Sequence, residues 1–338
     1  MTRLMTIVDV AKAAGVSVSA VSYAVNGRPG VSDATRARII EVVAQLGWRP
    51  NNAARALVGF GTGAIGLVMA RSADLLESDD FFSRFLVGVE RVLATHGFSL
   101  VLQVVAAGTA REQEAYERLA HGLVDGIILT DIRIRDPRLG WVRQAGIPAV
   151  VAGNAGRNSF FPSVETDHVR GMKLATQHLL DLGHQDIAFI GGPQMIEHVR
   201  ARKKAWMQTL RAAGVALGPV LHQPSSAEGG ASALIELMGM RRKPTAVVIT
   251  SDLMAFGVLG QAHALGVGVP RELSIVGFDD VPLARHATPA LTTVAVDYVR
   301  FGAAAAAKMV SEVLRIEPSN EPIPPVTLSI RSSTAPPR

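Results

Sequence analysis

Apolar positions along this chain change period near residue 63, and the change divides it in two. Up to residue 46 they recur at helical spacing: Ile7, Val10, Ala11 and Ala14, then Val21, Ala24 and Val25, then Ile39, Val42, Val43 and Leu46. Three short helices are predicted. Thr6 caps the first, with Asp9 three residues on to complete a capping box, and Gly15 ends it where a positive φ is wanted. Ser17 caps the second, which Asn26-Gly27 stops. Ser32 caps the third, residues 33–46, and Gly47 closes it. A further helical piece, residues 51–58, carries Arg55 and Leu57 and runs into Gly59-Phe60-Gly61-Thr62-Gly63.

From Ala64 the pattern becomes nearly continuous apolar runs between amphipathic helices. Strands at 64–69, 99–104, 125–130 and 148–152 alternate with helices at 81–96, 112–122 and 139–146. The rhythm restarts after Asp167: helix 169–182, strand 187–192, helices 199–214 and 229–239, strand 246–250, helix 253–265, strand 274–280 and a last helix, 299–315. Such strands belong to parallel sheets covered on both faces. The expected fold is α/β: an all-α helix-turn-helix head, then a two-lobed body with parallel sheets, like the periplasmic sugar-binding proteins. In such sheets ligands sit beyond the carboxyl ends of the strands.

The 338 residues are 48% hydrophobic, enough for several cores. The net charge of +5 is unevenly placed: residues 1–60 hold seven basic and three acidic residues, against 27 and 26 in the rest. A basic head is the electrostatic footprint of a phosphate-backbone binder. In helix-turn-helix geometry the second helix offers its N-terminal side chains to the major groove. Here those are Val18, Ser19, Ser22 and Tyr23, with Ser17 and Asn26 nearer the phosphates, and Thr6 and Ser32 are counted with them. The chain has no cysteine, which excludes disulfides and thiolate chemistry. Its nine histidines show no metal-ligand spacing, and neither a phosphate loop nor a nucleophile elbow is present, so no enzyme, metal or cofactor is expected. The N-terminus lacks a signal-peptide core and no apolar run is long enough to span a membrane, so a cytoplasmic location is expected.

The segments Ile7-Val8-Asp9-Val10-Ala11, Ala14-Gly15-Val16-Ser17, Val21-Ser22, Asn26-Gly27, and Val31-Ser32 with Thr35-Arg36 recur together at specific spacings. So does Leu46-Gly47-Trp48-Arg49-Pro50-Asn51 with Ala53, Ala54 and Leu57. In these the chain resembles the lactose-repressor (LacI/GalR) family of bacterial transcription regulators, and the resemblance continues to about Thr334. It implies residues 1–50 as a DNA-binding domain and 51–60 as a hinge helix and linker. It also implies a first effector-binding and dimerisation lobe (61–165 plus 294–322) and a second effector-binding lobe (166–293 plus 323–334).

In that family the positions matching Val18, Ser19 and Tyr23 choose operator bases. Many relatives carry Arg in place of Tyr23, so a bidentate guanine contact worth roughly 1–3 kcal/mol of discrimination is missing here. Tyr23 either supplies one hydrogen bond and packs on a thymine methyl, or is partly buried. The counterpart of Leu57 wedges into the minor groove, and Asn51 and Arg55 reach the backbone or groove floor. Eight residues are too few for a free helix, so the hinge is expected to order only on DNA, with two chains paired.

For the cleft, the resemblance makes Arg202 the effector-binding arginine, whose fork suits carboxylate, phosphate or vicinal hydroxyls. Asp279 is the acid that accepts from effector hydroxyls. Asp252 is either a helix N-cap or a ligand contact, and Phe81 and Phe82 either stack on the ligand or fill the core. Ser251 and Thr130 stand where relatives place Asn, and Gly153 followed by Asn154 replaces a strand-end acid. The cleft keeps Arg202 and Asp279 but loses polyol contacts, so a bulkier or partly apolar effector is expected.

The resemblance thus implies a sequence-specific DNA-binding transcriptional regulator, a repressor by family default. It would bind a near-palindromic operator as a homodimer. A small-molecule effector, a sugar or other metabolite, would shift its population of states. No heptad repeat follows Arg331, so a dimer rather than a tetramer is expected. Two alternatives stand: an effector-independent architectural DNA-binding protein, which the depleted cleft leaves open, and a transport-type binding protein, against which the head speaks.

Overall fold

The structure, a computed structural model, describes residues 5–25, 29–48, 61–71, 80–156, 159–319 and 321–338. It forms two compact units, Met1–Thr62 and Gly63–Arg338. The predicted helical piece 51–58, with Asn51, Arg55 and Leu57, lies outside the described residues, as does Asn26.

In the first unit, α1 (Ile7–Ala14), α2 (Val18–Val25) and α3 (Asp33–Leu46) form where the apolar spacing places them. Thr6 Oγ1 accepts from the Asp9 amide, while the Asp9 carboxylate accepts from the Thr6 amide at 2.9 Å, closing the capping box. Gly15 and Gly47 take left-handed φ values of 64° and 59° and end α1 and α3. The axes of α1 and α2 differ by 100°, within the range of a DNA-reading helix pair. Val10, Ala11, Ala14, Val21, Ala24 and Ile39 make the small core.

The second unit contains two sheets. The first joins β1 (Ala64–Ala70), β2 (Ser99–Val105), β3 (Gly126–Leu129), β4 (Ala149–Ala152) and β5 (Ser163–Val164) in the order β2-β1-β3-β4-β5, all parallel. Between them run α4 (Asp80–Thr95), α5 (Ala110–Ala120) and α6 (Pro137–Gln144). The second half contributes α7 (His168–Asp181), β6 (Ile187–Gly191), α8 (Glu197–Ala212), β7 (Val220–His222), α9 (Ala227–Met238), β8 (Ala246–Ile249), α10 (Asp252–Leu265), β9 (Ser274–Asp279), β10 (Thr292–Ala295), α11 (Tyr298–Leu314) and β11 (Thr327–Ser329). Its sheet runs β7-β6-β8-β9-β10-β11, parallel except for β11. Both sheets therefore reverse strand order between their first and third strands in sequence, the crevice where open α/β sheets bind ligands.

Strand alternation sorts the core. Ile65, Leu67, Ile128 and Val150 face one side of the first sheet, where they meet α4 and α11, while Val68, Ile127, Leu129 and Val151 face α5 and α6. The last helix, α11, packs on α4 and against β3, β4 and β5, so the chain returns to the first sheet. That crossing is close because Gly88 and Gly302 meet backbone: a Cβ on Gly88 would lie 1.9 Å from the Val299 carbonyl oxygen. Strands β5, β7, β10 and β11 are absent from the hydrophobic pattern, being two to four residues long and partly polar. Among the described residues no single helix is long and apolar enough to cross a membrane.

Candidate functional site

In the head, Ser17 just before α2, Val18 and Ser19 in its first turn and Tyr23 in its last are exposed, and Ser22 is half-buried. Ser17 Oγ accepts from the Ala20 amide at 3.1 Å, so this hydroxyl caps the helix. Thr6 and Ser32 are exposed caps of α1 and α3. The Thr6 hydroxyl proton goes to Asp9 Oδ2 at 2.7 Å, which leaves backbone N–H groups as what this helix start offers an anion. Tyr23 is 39% exposed, and a Cβ on Gly30 would lie 3.3 Å from its ring, so one ring edge rests on the chain and the rest meets solvent. Arg36 of α3 donates to the carbonyls of Tyr23 (3.2 Å) and Ala24 (2.8 Å). It thereby satisfies the last turn of α2 and complements its dipole.

In the second unit, the carboxyl ends of β1, β3 and β4 face those of β6, β8 and β9 across a cleft. About 80 Å³ is enclosed among the side chains, within a recess of about 790 Å³ that includes the open mouth. Arg202, from the second turn of α8, fills its centre. One guanidinium nitrogen donates to the Thr250 carbonyl and the other to His168 Nδ1 at 3.0 Å, while the plane lies 3.5 Å over the Phe278 ring. The second nitrogen also lies 3.9 Å from Asp279 Oδ1. Arg202 is 3% exposed, and its Nε has no hydrogen-bond partner.

Asp279 ends β9 with φ +119°, and Asp280 follows at +49°. This backbone is uncommon for residues with a side chain, and it sends the two carboxylates to different partners. Asp279 Oδ1 accepts from Tyr298 Oη at 2.5 Å in the cleft, whereas Asp280 accepts from Ser329 and Arg331. On the first sheet's side, Arg71 after β1 and Asp131 after β3 form a two-pronged ion pair at 2.8 and 2.9 Å. Burial alone would raise the Asp131 carboxyl, but the Arg71 charge and hydrogen bonds outweigh it and hold the pKa at about 2. His168 and His198 lie with ring centres 5.3 Å apart. Burial, then the charge of Arg202, holds His198 at about 3 and pushes His168 well below its usual value. Both rings are therefore neutral. Burial, then Asp279, raises the Tyr298 hydroxyl.

The loop after β3 is held from beneath. Glu112, fully buried, accepts two bonds from Arg133 at 2.9 and 2.6 Å. Asp136 accepts from the Arg133 amide at 2.9 Å and pairs with Arg138, whose guanidinium also donates to the Asp131 carbonyl. This buried network fixes residues 131–136.

Of the expected cleft residues, Phe81, Asn154, Arg202, Ser251 and Asp279 line the space together, and Phe82, Thr130 and Asp252 do not. Phe82 is a core ring, 2% exposed, beneath the Arg71 guanidinium. Thr130 is 2% exposed. Asp252 does not line the space and does not cap α10: Ser251 Oγ caps it by accepting from the Met254 amide. The Asp252 carboxylate turns inward to the Thr293 hydroxyl and the Val281 amide, and burial together with Asp279 pushes its pKa well above the carboxylate range. Gly153 lines the cleft at φ +138°, a conformation that glycine adopts without a side-chain clash.

The sequence reading missed Arg71, Asp131, His168, His198 and Tyr298. One signal was available. Asp167-His168-Val169-Arg170 and Asp297-Tyr298-Val299-Arg300 are the same motif at two of the three points where the chain crosses between the sheets. In each, the Asp caps a helix by accepting from the Arg amide, at 2.8 and 2.9 Å, and the next residue enters the cleft.

Residues 6–51 match the bacterial regulatory proteins of the lacI family, and residues 176–334 match the periplasmic binding protein-like domain. The HTH-type transcriptional regulator CelR of Thermobifida fusca is 33% identical over 300 residues, covering 86% of this chain and 87% of that protein. Catabolite control protein A of Priestia megaterium is 29% identical over 305 residues, covering 89% and 90%. A crystal structure of the lac repressor dimer bound to operator and the anti-inducer ONPF superposes with a TM-score of 0.83 at 26% identity, covering 98% of this chain and 100% of that one.

Proposed function

The chain belongs to the lacI family of bacterial regulatory proteins, and on that premise we propose that it represses transcription as a homodimer under the control of a small molecule in its cleft. It is a DNA-binding transcriptional regulator with an effector-binding, periplasmic-binding-protein-like domain. The observation that carries the finer reading is the head: a helix pair crossing at 100° whose second helix exposes Val18, Ser19 and Tyr23. We assign base contacts to Val18, Ser19, Ser22 and Tyr23. Phosphate contacts go to the helix starts at Thr6, Ser17 and Ser32, and hinge contacts to Asn51, Arg55 and Leu57.

The effector would meet Arg202, Asp279, Asn154, Ser251 and Phe81. Of the acids lining the cleft, Asp131 and Asp279 already have partners in Arg71, Tyr298 and Arg202, which leaves Glu197. A polyol would therefore find few spare acceptors, which favours a ligand with apolar surface and hydrogen-bond acceptors for the Arg202 Nε–H. The lobes would divide at 165/166 and, because β10 belongs to the second sheet, at 296/297 rather than 293/294. No catalysis is proposed, and the protein would act in the cytoplasm.

The test is selection of bound duplexes from a random pool at about 150 mM salt, where nonspecific binding is weak. A near-palindrome of roughly 14–20 base pairs is expected. Enrichment of no sequence would overturn the reading.

A further inference from the structure

Beside the cleft the two halves of the second unit are joined by backbone. The Ile134 amide donates to the Met195 carbonyl at 2.8 Å, the Glu197 amide donates to the Ile132 carbonyl at 2.8 Å, and Arg133 faces Ile196 as an antiparallel bridge. We propose that Ile132–Arg133–Ile134 and Met195–Ile196–Glu197 form a clasp across the cleft, and that its two hydrogen bonds set how far the empty cleft closes.

Three observations support it. The first-half strand of the clasp is rigid, because Arg133 is anchored to buried Glu112 and its amide to Asp136. The second-half strand ends in an orphan: Ile196 precedes α8 without capping it by a side chain, so the Glu197 amide at the first helical position has no partner within the helix. The other half of the molecule supplies one. Alternation along the pair then turns Ile132 and Glu197 into the cleft and Arg133 away from it. Closing the clasp and shaping the ligand site are thus one event. The inference deepens the proposed function by assigning the regulation of its cleft, and it rests on reading that cleft as the effector site.

Glu197→Pro isolates the clasp. Proline is favoured at the first helical position, and the extended backbone of Ile196 (φ −81°, ψ 127°) suits a residue before proline. The substitution removes the amide that Ile132 accepts from and puts a ring carbon in its place. Glu197→Ala loses the same carboxylate but keeps the amide, and serves as the control. The chain has no cysteine, so a spin-label pair at Arg111→Cys and Glu228→Cys is specific. Both positions are exposed, on the first turns of α5 and α9, which follow the carboxyl ends of β2 and β7. Labelled chains diluted with unlabelled ones report intrachain distances, without operator or ligand.

Glu197→Ala is expected to keep the distance distribution of the unsubstituted protein. Glu197→Pro should raise a longer-distance population roughly three- to tenfold, the value of one backbone bond. Superimposable distributions for the two variants would overturn the clasp. Should Glu197→Pro fail to fold, amide exchange in the unsubstituted protein decides: the Ile134 and Glu197 amides should be protected and open at one common rate. A Glu197 amide exchanging as freely as an uncapped helix start would refute it. Because neither measurement needs DNA, failure of the clasp leaves operator selection untouched, and the reverse holds.

Discussion

Tyr298 Oη donates to Asp279 Oδ1 at 2.5 Å, joining the first residue of α11 to the last residue of β9. The bond ties a crossing point of the chain to the acid of the cleft, so the position of that carboxylate depends on how the two sheets stand. Arg202 approaches the same oxygen from α8, and Arg84 of α4 donates to the Asp279 and Asp280 carbonyls at 3.4 and 3.5 Å. One strand end is thus held from three helices.

Tyr298→Phe should remove this bond without opening a cavity. A hydrogen bond to a charged group contributes about 1.5–3 kcal/mol. Urea unfolding of the α/β unit should register a loss of that order with an unchanged m-value. No loss would mean that Asp279 is held by the arginines alone.

Arg36→Ala should loosen the head without touching the body. The Tyr23 and Ala24 carbonyls lose their donor, and α2 loses the cation at its C-terminus, together worth about 1–2 kcal/mol. Amide exchange in α2 should accelerate while exchange in the sheets stays constant. A uniform acceleration across the chain would contradict this.

Tyr23→Ala separates the two roles of that ring. If Tyr23 reads a base, affinity for the selected operator falls and discrimination at one base pair per half-site weakens by roughly 1–3 kcal/mol. If its contact with Gly30 matters more, all duplexes weaken equally. We expect the first pattern in binding to single-base operator variants.

Acid should destabilise the α/β unit through the two imidazoles of its cleft. Burial and Arg202 hold His198 at about 3 in the folded chain, whereas an unfolded histidine titrates near 6.5. Between these values the unfolded chain binds one more proton, so stability rises with pH. The contribution is complete above about 6.5 and lost as pH falls towards 3. His168 acts in the same direction, while the Asp131–Arg71 pair is lost later, as pH falls through the carboxylate range towards 2. His198→Gln should remove up to about 1.4 kcal/mol per pH unit of the slope in urea unfolding between about pH 4 and 6. An unchanged slope would show that His198 titrates in the folded protein as it does in the unfolded one.

The caps were legible because they are local: Thr6 with Asp9, Ser32, Gly15 and Gly47 act within four residues of their own position. So were the long apolar strands, whereas Arg202 and Asp279 were placed in the cleft by the family resemblance and not by any local pattern. Strand β10 was not legible, since Thr292 and Thr293 carry no hydrophobic signal and become strand by pairing with β9 and β11. Asp252 misled by one place: Ser and Asp both cap helices, and only the backbone assigns that role to Ser251. Arg71 and Asp131 each follow a strand, where a ligand crevice is expected, but nothing in the sequence announces that residues 60 apart form one ion pair.

Operator reading by the head is tested most directly by equilibrium binding at about 150 mM salt to a selected duplex and to its scrambled counterpart. We predict two chains per duplex and a preference of at least about 1,000-fold for the selected site. Equal affinity for both duplexes, or one chain per duplex, would contradict it.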